Sequence, residues 1–297
     1  MKVMVTGATG FVGGHIVDEL IAQGLLVRAL VRPDSIPGAS HLPANVELAR
    51  ADVMAPDLEK FLEGTDAVIH LVGIIRAVPR KGVTFERLHA AAAKNVLRAM
   101  TAAGVKRLVH MSALGAGPGA ETEYFRTKWQ AEQAVRDSTL DWTVIKPSVI
   151  FGPGDRFVNM LASQVRALPL VPVIGDGNYR LQPIFIKDVA AGFVKALSLP
   201  DTIGRAFEAG GPEEMTYNEL LDEIAKALGR DQARKIHFPL ALMQPAIRMM
   251  QRFQSFPITM GQLQMLLINN VCDPGPFFQA FDIEPVTFSR GIRHYIS

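Results

Sequence analysis

The chain has 297 residues, of which 48% are hydrophobic and 20% are charged, and this composition excludes a disordered protein and a coiled coil. Its 31 Lys and Arg residues nearly balance its 29 Asp and Glu residues, so the formal charge of +2 excludes a dedicated nucleic-acid binder. The single cysteine, Cys272, excludes an internal disulfide and a cysteine-based zinc site, and the spacing of the histidines predicts no metal site.

The sequence shows neither a secretory signal nor a membrane-spanning segment. Residues 3–6 run directly into glycines, and no uninterrupted apolar run approaches the roughly 20 residues that a transmembrane helix needs. We therefore expect a cytoplasmic protein.

Short β-branched runs alternate with helical patterns through the first half of the chain. The predicted strands are residues 2–6, 26–31, 46–48, 67–72, 107–111 and 142–145, with a later one near Ile184. The predicted helices are residues 13–23, 85–103 and 123–137. Such alternation predicts an α/β fold with a doubly wound parallel sheet.

The regular alternation loosens from Gly152 onward, where Pro and Gly become frequent. This change predicts two domains. The first comprises residues 1–150 and about 176–207, and the second, smaller domain comprises about 151–175 and 208–297.

Three glycines lie between the first predicted strand and the first predicted helix. Gly7, Gly10 and Gly13 form a G-x-x-G-x-x-G turn. Such glycines let the backbone approach a pyrophosphate, and the helix N-terminus supplies free N–H groups. We expect a dinucleotide here, with Thr9, Phe11 and Val12 lining the same turn.

The end of the second predicted strand bears on the choice of cofactor. An acidic residue about 20 residues after the glycines usually binds the adenosine ribose, whereas an arginine accommodates a 2′-phosphate. Here Arg32 ends the strand, Arg28 precedes it, and Asp34 follows after Pro33. The balance favours NADP(H), with NAD(H) as the alternative.

Two later segments follow strands at the same sheet edge. Asp52 and Val53, after the third strand, are predicted to meet the adenine, and Leu71, Val72 and Gly73 to pass beneath the cofactor ribose. The alternative is that they are ordinary turn residues.

A tyrosine and a lysine stand four residues apart in the third predicted helix. Tyr124 and Lys128 therefore project from one face, and Ser112 ends the fifth strand, where parallel sheets bind ligands. A phenol becomes a usable acid or base near neutral pH when a cation lowers its pKa. Hence Lys128 is the predicted cation and nicotinamide-ribose ligand, Tyr124 the acid or base, and Ser112 the donor to the substrate oxygen. The alternative is an exposed Tyr and Lys on an ordinary helix.

These residues together resemble the short-chain dehydrogenase/reductase superfamily, in particular its extended and atypical branches. The matching segments are residues 6–13, 146–153 and 183–190, with Ser112, Tyr124 and Lys128. The resemblance implies a Rossmann domain, a small C-terminal substrate domain, and a segment passing the nicotinamide that contains Pro147, Val149 and Ile150.

Residues 70–76, 110–116 and 152–159 most resemble the family of respiratory complex I accessory subunits and its bacterial relatives. That resemblance implies bound NADPH, held as a structural ligand in the mitochondrial member. Sugar-nucleotide epimerases are similar over the first 190 residues, but they usually carry Arg-Asp-Phe where this chain has Leu181, Gln182 and Pro183. Three functions thus stay open: an oxidoreductase acting on an apolar carbonyl or quinone-like substrate, a structural NADPH binder, and a nucleotide-sugar epimerase or dehydratase.

Residues 232–272 contain no Asp or Glu and hold five of the twelve Met residues. Burial in the small domain is one interpretation. A contact with a membrane surface, a membrane-complex partner or an apolar substrate is the other, because Arg234, Lys235, Arg248 and Arg252 are the segment's only full charges. The second interpretation predicts a protein peripheral to the inner membrane.

Overall fold

A computed structural model describes residues 1–33, 42–251 and 258–296. The chain divides into two compact units. The first contains Met1–Pro147, Lys187–Glu208 and Gly275–Ile283, and the second contains Ser148–Ile186, Ala209–Pro274 and Glu284–Ser297.

The described residues form thirteen strands and ten α-helices. The strands are β1 (Lys2–Thr6), β2 (Leu26–Val31), β3 (Glu47–Arg50), β4 (Ala67–His70), β5 (Arg107–Met111), β6 (Asp141–Pro147), β7 (Ile150–Phe151), β8 (Val171–Ile174), β9 (Arg180–Leu181), β10 (Ile184–Phe185), β11 (Arg205–Ala209), β12 (Met215–Thr216) and β13 (Lys235–Phe238). The helices are α1 (Phe11–Ala22), α2 (Ala92–Ala103), α3 (Glu123–Arg136), α4 (Phe157–Ala167), α5 (Ile186–Ala196), α6 (Tyr217–Ala227), α7 (Leu240–Met250), α8 (Met260–Leu267), α9 (Gly275–Ala280) and α10 (Phe288–Ile292).

The first unit is built on a seven-stranded sheet with the order β11-β6-β5-β4-β1-β2-β3. The pairs β1–β2, β2–β3, β1–β4, β4–β5 and β5–β6 are parallel. Strand order reverses between β1 and β4, and in such sheets ligands bind at the carboxyl ends of the strands near this point. This confirms the predicted Rossmann-type fold.

Apolar side chains bury both faces of the central strands, as the β-branched runs predicted. Val3, Val5, Val68, Val109 and Val144 are all fully buried. β4 ends at His70, two residues earlier than predicted, and residues 71–73 leave the sheet there.

The predicted helix 85–103 is interrupted. Residues Glu86–Ala91 form a π-helical turn, and only Ala92–Ala103 are α-helical. Turns of this kind occur frequently at functional sites. Helix α3 begins as predicted, because the Thr122 side chain accepts a hydrogen bond from Phe125 N and caps its first turn.

The domain boundaries differ from the expected ones at two places. Residues 176–186 belong to the second unit, since β9 pairs with β12 and β10 with β7. Residues 275–283 return to the first unit, where Phe277 and Phe281 are fully buried. Phe281 packs against Phe207 at 5.0 Å between ring centroids.

Within the described ranges, 1–33, 42–251 and 258–296, no helix has the length and apolar character needed to cross a membrane.

Candidate functional site

The turn between β1 and α1 has the backbone geometry that a pyrophosphate requires. Gly7 has a left-handed φ of +78°, and its carbonyl oxygen accepts a hydrogen bond from Gly10 N at 3.0 Å. A Cβ atom at Gly13 would lie 2.2 Å from that same oxygen, so a larger residue does not fit. Gly10, the N-cap of α1, has no side chain to cap the first-turn N–H groups, and that turn contains no acidic residue. The turn therefore fits the anionic centre of a dinucleotide.

The other predicted residues of this turn lie around it. Thr9, Phe11 and Val12 are partly exposed. Phe11 contacts His15 edge to face, with 5.5 Å between ring centroids.

At the adenosine end, only one of the two candidate arginines is free of the protein's own framework. The Arg28 guanidinium binds the Glu47 carboxylate at 2.8 Å and the Phe61 carbonyl oxygen at 2.8 Å, so it serves the structure of the sheet edge. Arg32 follows β2 and is exposed. Any selection for a 2′-phosphate at β2 therefore falls on Arg32.

A second cation at this edge was missed from the sequence. Arg50 is exposed and ends β3, where it is the register partner of Val31. Only the parallel pairing of β2 with β3 brings it beside the end of β2. Asp34, the acidic alternative, lies outside the described residues.

Asp52 and Val53, predicted to meet the adenine, are held by local hydrogen bonds. The Asp52 carboxylate accepts from Met54 N at 2.8 Å, and the Val53 carbonyl accepts from the Asn95 side chain at 2.7 Å. Asp52 thus forms a turn, and its role toward a cofactor stays a prediction.

The segment after β4 approaches α3. Leu71 is buried and Val72 is partly exposed, whereas Gly73 is exposed. A Cβ atom at Gly73 would lie 3.7 Å from Lys128 Nζ and 3.5 Å from His89 Nε2. The structure thus brings the predicted ribose segment beside the predicted catalytic lysine.

The predicted nicotinamide segment spans the two units. Pro147 ends β6 in the first unit, whereas Val149 and Ile150 lie in the second, where the Val149 carbonyl accepts from Ile184 N at 2.9 Å. Their contact with a nicotinamide stays a prediction.

Ser112 follows β5 and is buried, and its hydroxyl points to a carboxylate. Its Oγ donates to Glu132 Oε2 at 2.7 Å, while Glu132 Oε1 accepts from Arg136 Nη2 at 2.6 Å. Glu132 is fully buried. Because Glu132 holds the single hydroxyl hydrogen, Ser112 must rotate away from it before donating to a substrate.

Lys128 is buried with its ammonium at the end of β5. Its Nζ donates to the Met111 carbonyl oxygen at 2.5 Å. Burial lowers the pKa of Lys128 to about 8, and the negative charge of Glu132 opposes that shift. The side chain is therefore still largely protonated at neutral pH.

Tyr124 lies one helical turn before Lys128, among aromatic rings. Its ring contacts those of Phe85, His89 and Phe125 edge to face, at centroid distances of 5.9, 5.3 and 5.2 Å. These surroundings desolvate the phenol and raise the pKa of Tyr124 to about 12. The expected lowering by Lys128 is thus absent here, because desolvation outweighs the cation. The phenol holds its proton at neutral pH, as a proton donor must.

Three histidines are buried beside Lys128. His70, His89 and His110 are each no more than 2% exposed, and burial lowers the pKa of all three. His70 stacks on His110 at 5.3 Å between centroids, and within the described part of the chain neither nitrogen of His110 has a hydrogen-bond partner. No group of three His, Cys, Asp or Glu side chains in those ranges is arranged to hold a metal ion.

The hydrogen bonds of His89 define its tautomer. Thr127 Oγ1 donates to the Glu123 carbonyl at 2.9 Å, so it accepts from His89 Nδ1 at 2.8 Å. His89 Nε2 then accepts from Ile74 N at 3.1 Å. This neutral ring therefore pins residue 74, just after the predicted ribose segment, to helix α3.

Sequence reasoning missed Glu132 and the buried histidines. Glu132 continues the four-residue spacing of Tyr124 and Lys128, and extending that series would have found it. His89 and His110 come from separate elements, so no local pattern could have associated them.

Comparison with known proteins identifies the family. A family model described as NAD(P)H-binding matches residues 7–158. An Arabidopsis thaliana protein named NADH dehydrogenase [ubiquinone] 1 alpha subcomplex subunit 9, mitochondrial, is 30% identical over 95% of this chain and 73% of its own length. The chain belongs to the extended short-chain dehydrogenase/reductase family. It is accordingly an NAD(P)H-binding protein related to complex I accessory subunits.

This family member has other relatives of note. A Caulobacter vibrioides protein named ceramide reductase is 32% identical over 67% of this chain and 61% of its own length. The UDP-glucuronic acid 4-epimerase of Bacillus cereus, solved with UDP-glucuronic acid and NAD, superposes with a TM-score of 0.76. That match covers 100% of this chain and 99% of the epimerase at 21% identity, and it shows the fold alone.

Proposed function

We propose that the protein is an NADP(H)-dependent oxidoreductase acting on an apolar carbonyl or quinone-like substrate. One observation carries the proposal: a buried, protonated Lys128 lies against the end of β5, one turn after a tyrosine that keeps its proton. The similarity to a ceramide reductase supports an apolar carbonyl substrate.

The residues divide the work of a reduction. A bound nicotinamide supplies the hydride. Tyr124 donates its phenolic proton to the substrate oxygen, and the Lys128 ammonium stabilises the phenolate that remains. Ser112, once turned from Glu132, donates a hydrogen bond to the same oxygen. The glycine turn at residues 7–13 and residues 71–73 hold the cofactor.

Removing the phenolic hydroxyl tests the chemistry. We expect Tyr124→Phe to lower turnover by about 100-fold to 10,000-fold while leaving NADPH affinity unchanged, because only the transferable proton is lost. NADPH absorbance is followed with long-chain aldehydes, ketones and quinones. Tyr179→Phe is the matched control, since that buried hydroxyl has no hydrogen-bond partner within the described residues. Unchanged turnover in Tyr124→Phe would exclude Tyr124 as the proton donor.

A second candidate function is structural, with NADPH retained as part of a larger assembly. The similarity to complex I subunits favours it, as does a Ser112 hydroxyl already bonded to Glu132. Wild-type protein that retains NADPH through gel filtration, yet oxidises it with no substrate, would favour this function over the first. A nucleotide-sugar reaction is supported by the fold alone, and Gln182 is instead a buried tie between Gly211 and Cys272.

We also propose that NADPH is preferred over NADH. Arg32→Asp should weaken NADPH binding by about 10-fold to 100-fold, the value of one or two charge-assisted hydrogen bonds to a 2′-phosphate, and should leave NADH binding little changed. Fluorescence titration measures both affinities, with Arg80→Asp, in an exposed loop, as the control. Equal wild-type affinities for the two nucleotides would contradict the preference.

The protein, we further propose, docks on an anionic membrane through residues 232–272, as a peripheral protein. Helix α7 carries Leu242, Met249 and Met250 at 69%, 60% and 40% exposure, although Ile247 and Leu263 of the same segment are fully buried. Burial therefore accounts for only part of the segment. Lys235, expected to be unopposed, pairs with Asp222 at 2.6 Å, so the docking charge falls on other residues.

A further inference from the structure

We infer that a groove on the second unit binds the phosphate of an anionic phospholipid headgroup. The inference rests on the proposed membrane docking and assigns a site to it. The groove encloses about 780 Å³ between residues 165–171 and 229–234. Three arginines line it, Arg166, Arg230 and Arg234, against one carboxylate, Asp231.

Two of these arginines are set in place by the backbone around them. Arg230 donates from Nη1 to the Val165 carbonyl and from Nη2 to the Arg166 carbonyl, the latter at 3.2 Å, so it caps the C-terminal end of α4. Its charge offsets the negative end of the helix dipole, which would otherwise repel an anion. The Arg234 carbonyl accepts from Val171 N at 2.7 Å, which fixes Arg234 at the opposite wall.

The border of the groove is apolar and faces water. β8 and β13 pair in parallel, with Ile236 opposite Pro172 and Phe238 opposite Ile174. Val171 and Val173 are buried, whereas Pro172, Ile236 and Phe238 are exposed, because alternate residues of a strand face opposite sides. Leu168 and Leu170 add further exposed apolar surface at the groove itself, at 40% and 48% exposure.

Charge and apolar surface together select the occupant. A free phosphate would satisfy the arginines but leave the leucines and the outer strand face in water. A phospholipid at a bilayer surface offers its phosphate to the groove and its interfacial hydrocarbon to the border, and both contacts stabilise the complex. We therefore assign an anionic bilayer as the partner of this face.

The test measures sedimentation of the full chain with vesicles of phosphatidylcholine, alone or mixed equally with phosphatidylglycerol. Wild type should bind the mixed vesicles and not the neutral ones, with binding that weakens as salt rises. Arg166→Gln combined with Arg234→Gln should lower partitioning by about 30-fold, as expected for two interfacial cations. Arg230 stays intact, because it holds the end of α4.

Three controls separate the outcomes. Circular dichroism confirms that the double variant is folded, and Arg80→Gln with Lys81→Gln removes two exposed charges from the first unit. If the double variant binds like wild type while Arg248→Gln loses binding, the groove inference is wrong and docking through α7 stands. If wild type binds no vesicle, both are wrong, and a partner protein is left. Thermal stabilisation by inorganic phosphate without vesicle binding would also overturn the inference, in favour of a soluble anion.

Discussion

Gly13→Ala is expected to abolish nicotinamide nucleotide binding and to destabilise the first unit. The added Cβ would lie 2.2 Å from the Gly7 carbonyl oxygen and 2.7 Å from the Ala8 Cα, and both neighbours are backbone atoms that no rotamer change can move. The β1–α1 turn must therefore open. We expect a loss of about 3 kcal/mol or more in the free energy of unfolding, in the range of overpacked cores and strained backbones.

Gly261→Ala is the matched control, because Gly261 also lies inside a helix but its added Cβ would have no atom within 4 Å. This change should stabilise the protein by about 0.5 to 1 kcal/mol through helix propensity. Urea unfolding gives both free energies, and fluorescence titration gives NADPH affinity. A Gly13→Ala protein that binds NADPH like wild type would show that the turn does not hold the pyrophosphate.

Mild acid is expected to destabilise the protein strongly through its buried histidines. Burial, with a smaller contribution from the Lys128 charge, lowers the pKa of His70 and of His89 from 6.5 to about 3. The unfolded chain therefore binds more protons than the folded chain between these values, so stability is full above pH 6.5 and is lost as the pH falls below it. At pH 5 the cost is about 2 kcal/mol per ring, or about 4 kcal/mol for both, which is a large share of a typical 5 to 15 kcal/mol.

Substitution of one ring isolates this effect. His70→Asn retains a polar group near Thr6, whose Oγ1 lies 2.7 Å from His70 Nδ1, and removes one titrating site. Its loss of stability between pH 7.5 and pH 5, measured by urea unfolding, should be about 2 kcal/mol smaller than that of wild type. The exposed His237→Asn should show the wild-type difference. If His70→Asn also shows the wild-type difference, the histidine explanation fails.

The candidate site was predictable where its residues share a local pattern. Gly7, Gly10 and Gly13 stand together in one turn, and Tyr124 and Lys128 share one helix face, so spacing alone associated them. Glu132 follows the same spacing. The partners of Ser112 and the stack of His70 on His110 depend instead on which strands lie side by side, and no local pattern carries that information.

Desolvation also escaped the sequence. The pattern predicted that Lys128 lowers the pKa of Tyr124, but burial among Phe85, His89 and Phe125 raises it to about 12. A pKa depends on every group and solvent molecule within a few ångströms, whereas the sequence shows only neighbours along the chain.

The sequence by itself determined the parallel sheet, the dinucleotide turn and the spacing of the catalytic candidates, because periodicity and glycine requirements are local properties. Only the tertiary structure decided which charges remain for ligands. It pairs Arg28 with Glu47 and Lys235 with Asp222, and it places Arg50 beside β2 and Arg166 near Arg234. These groups are distant in sequence, and their contacts arise when the sheet and the helices pack.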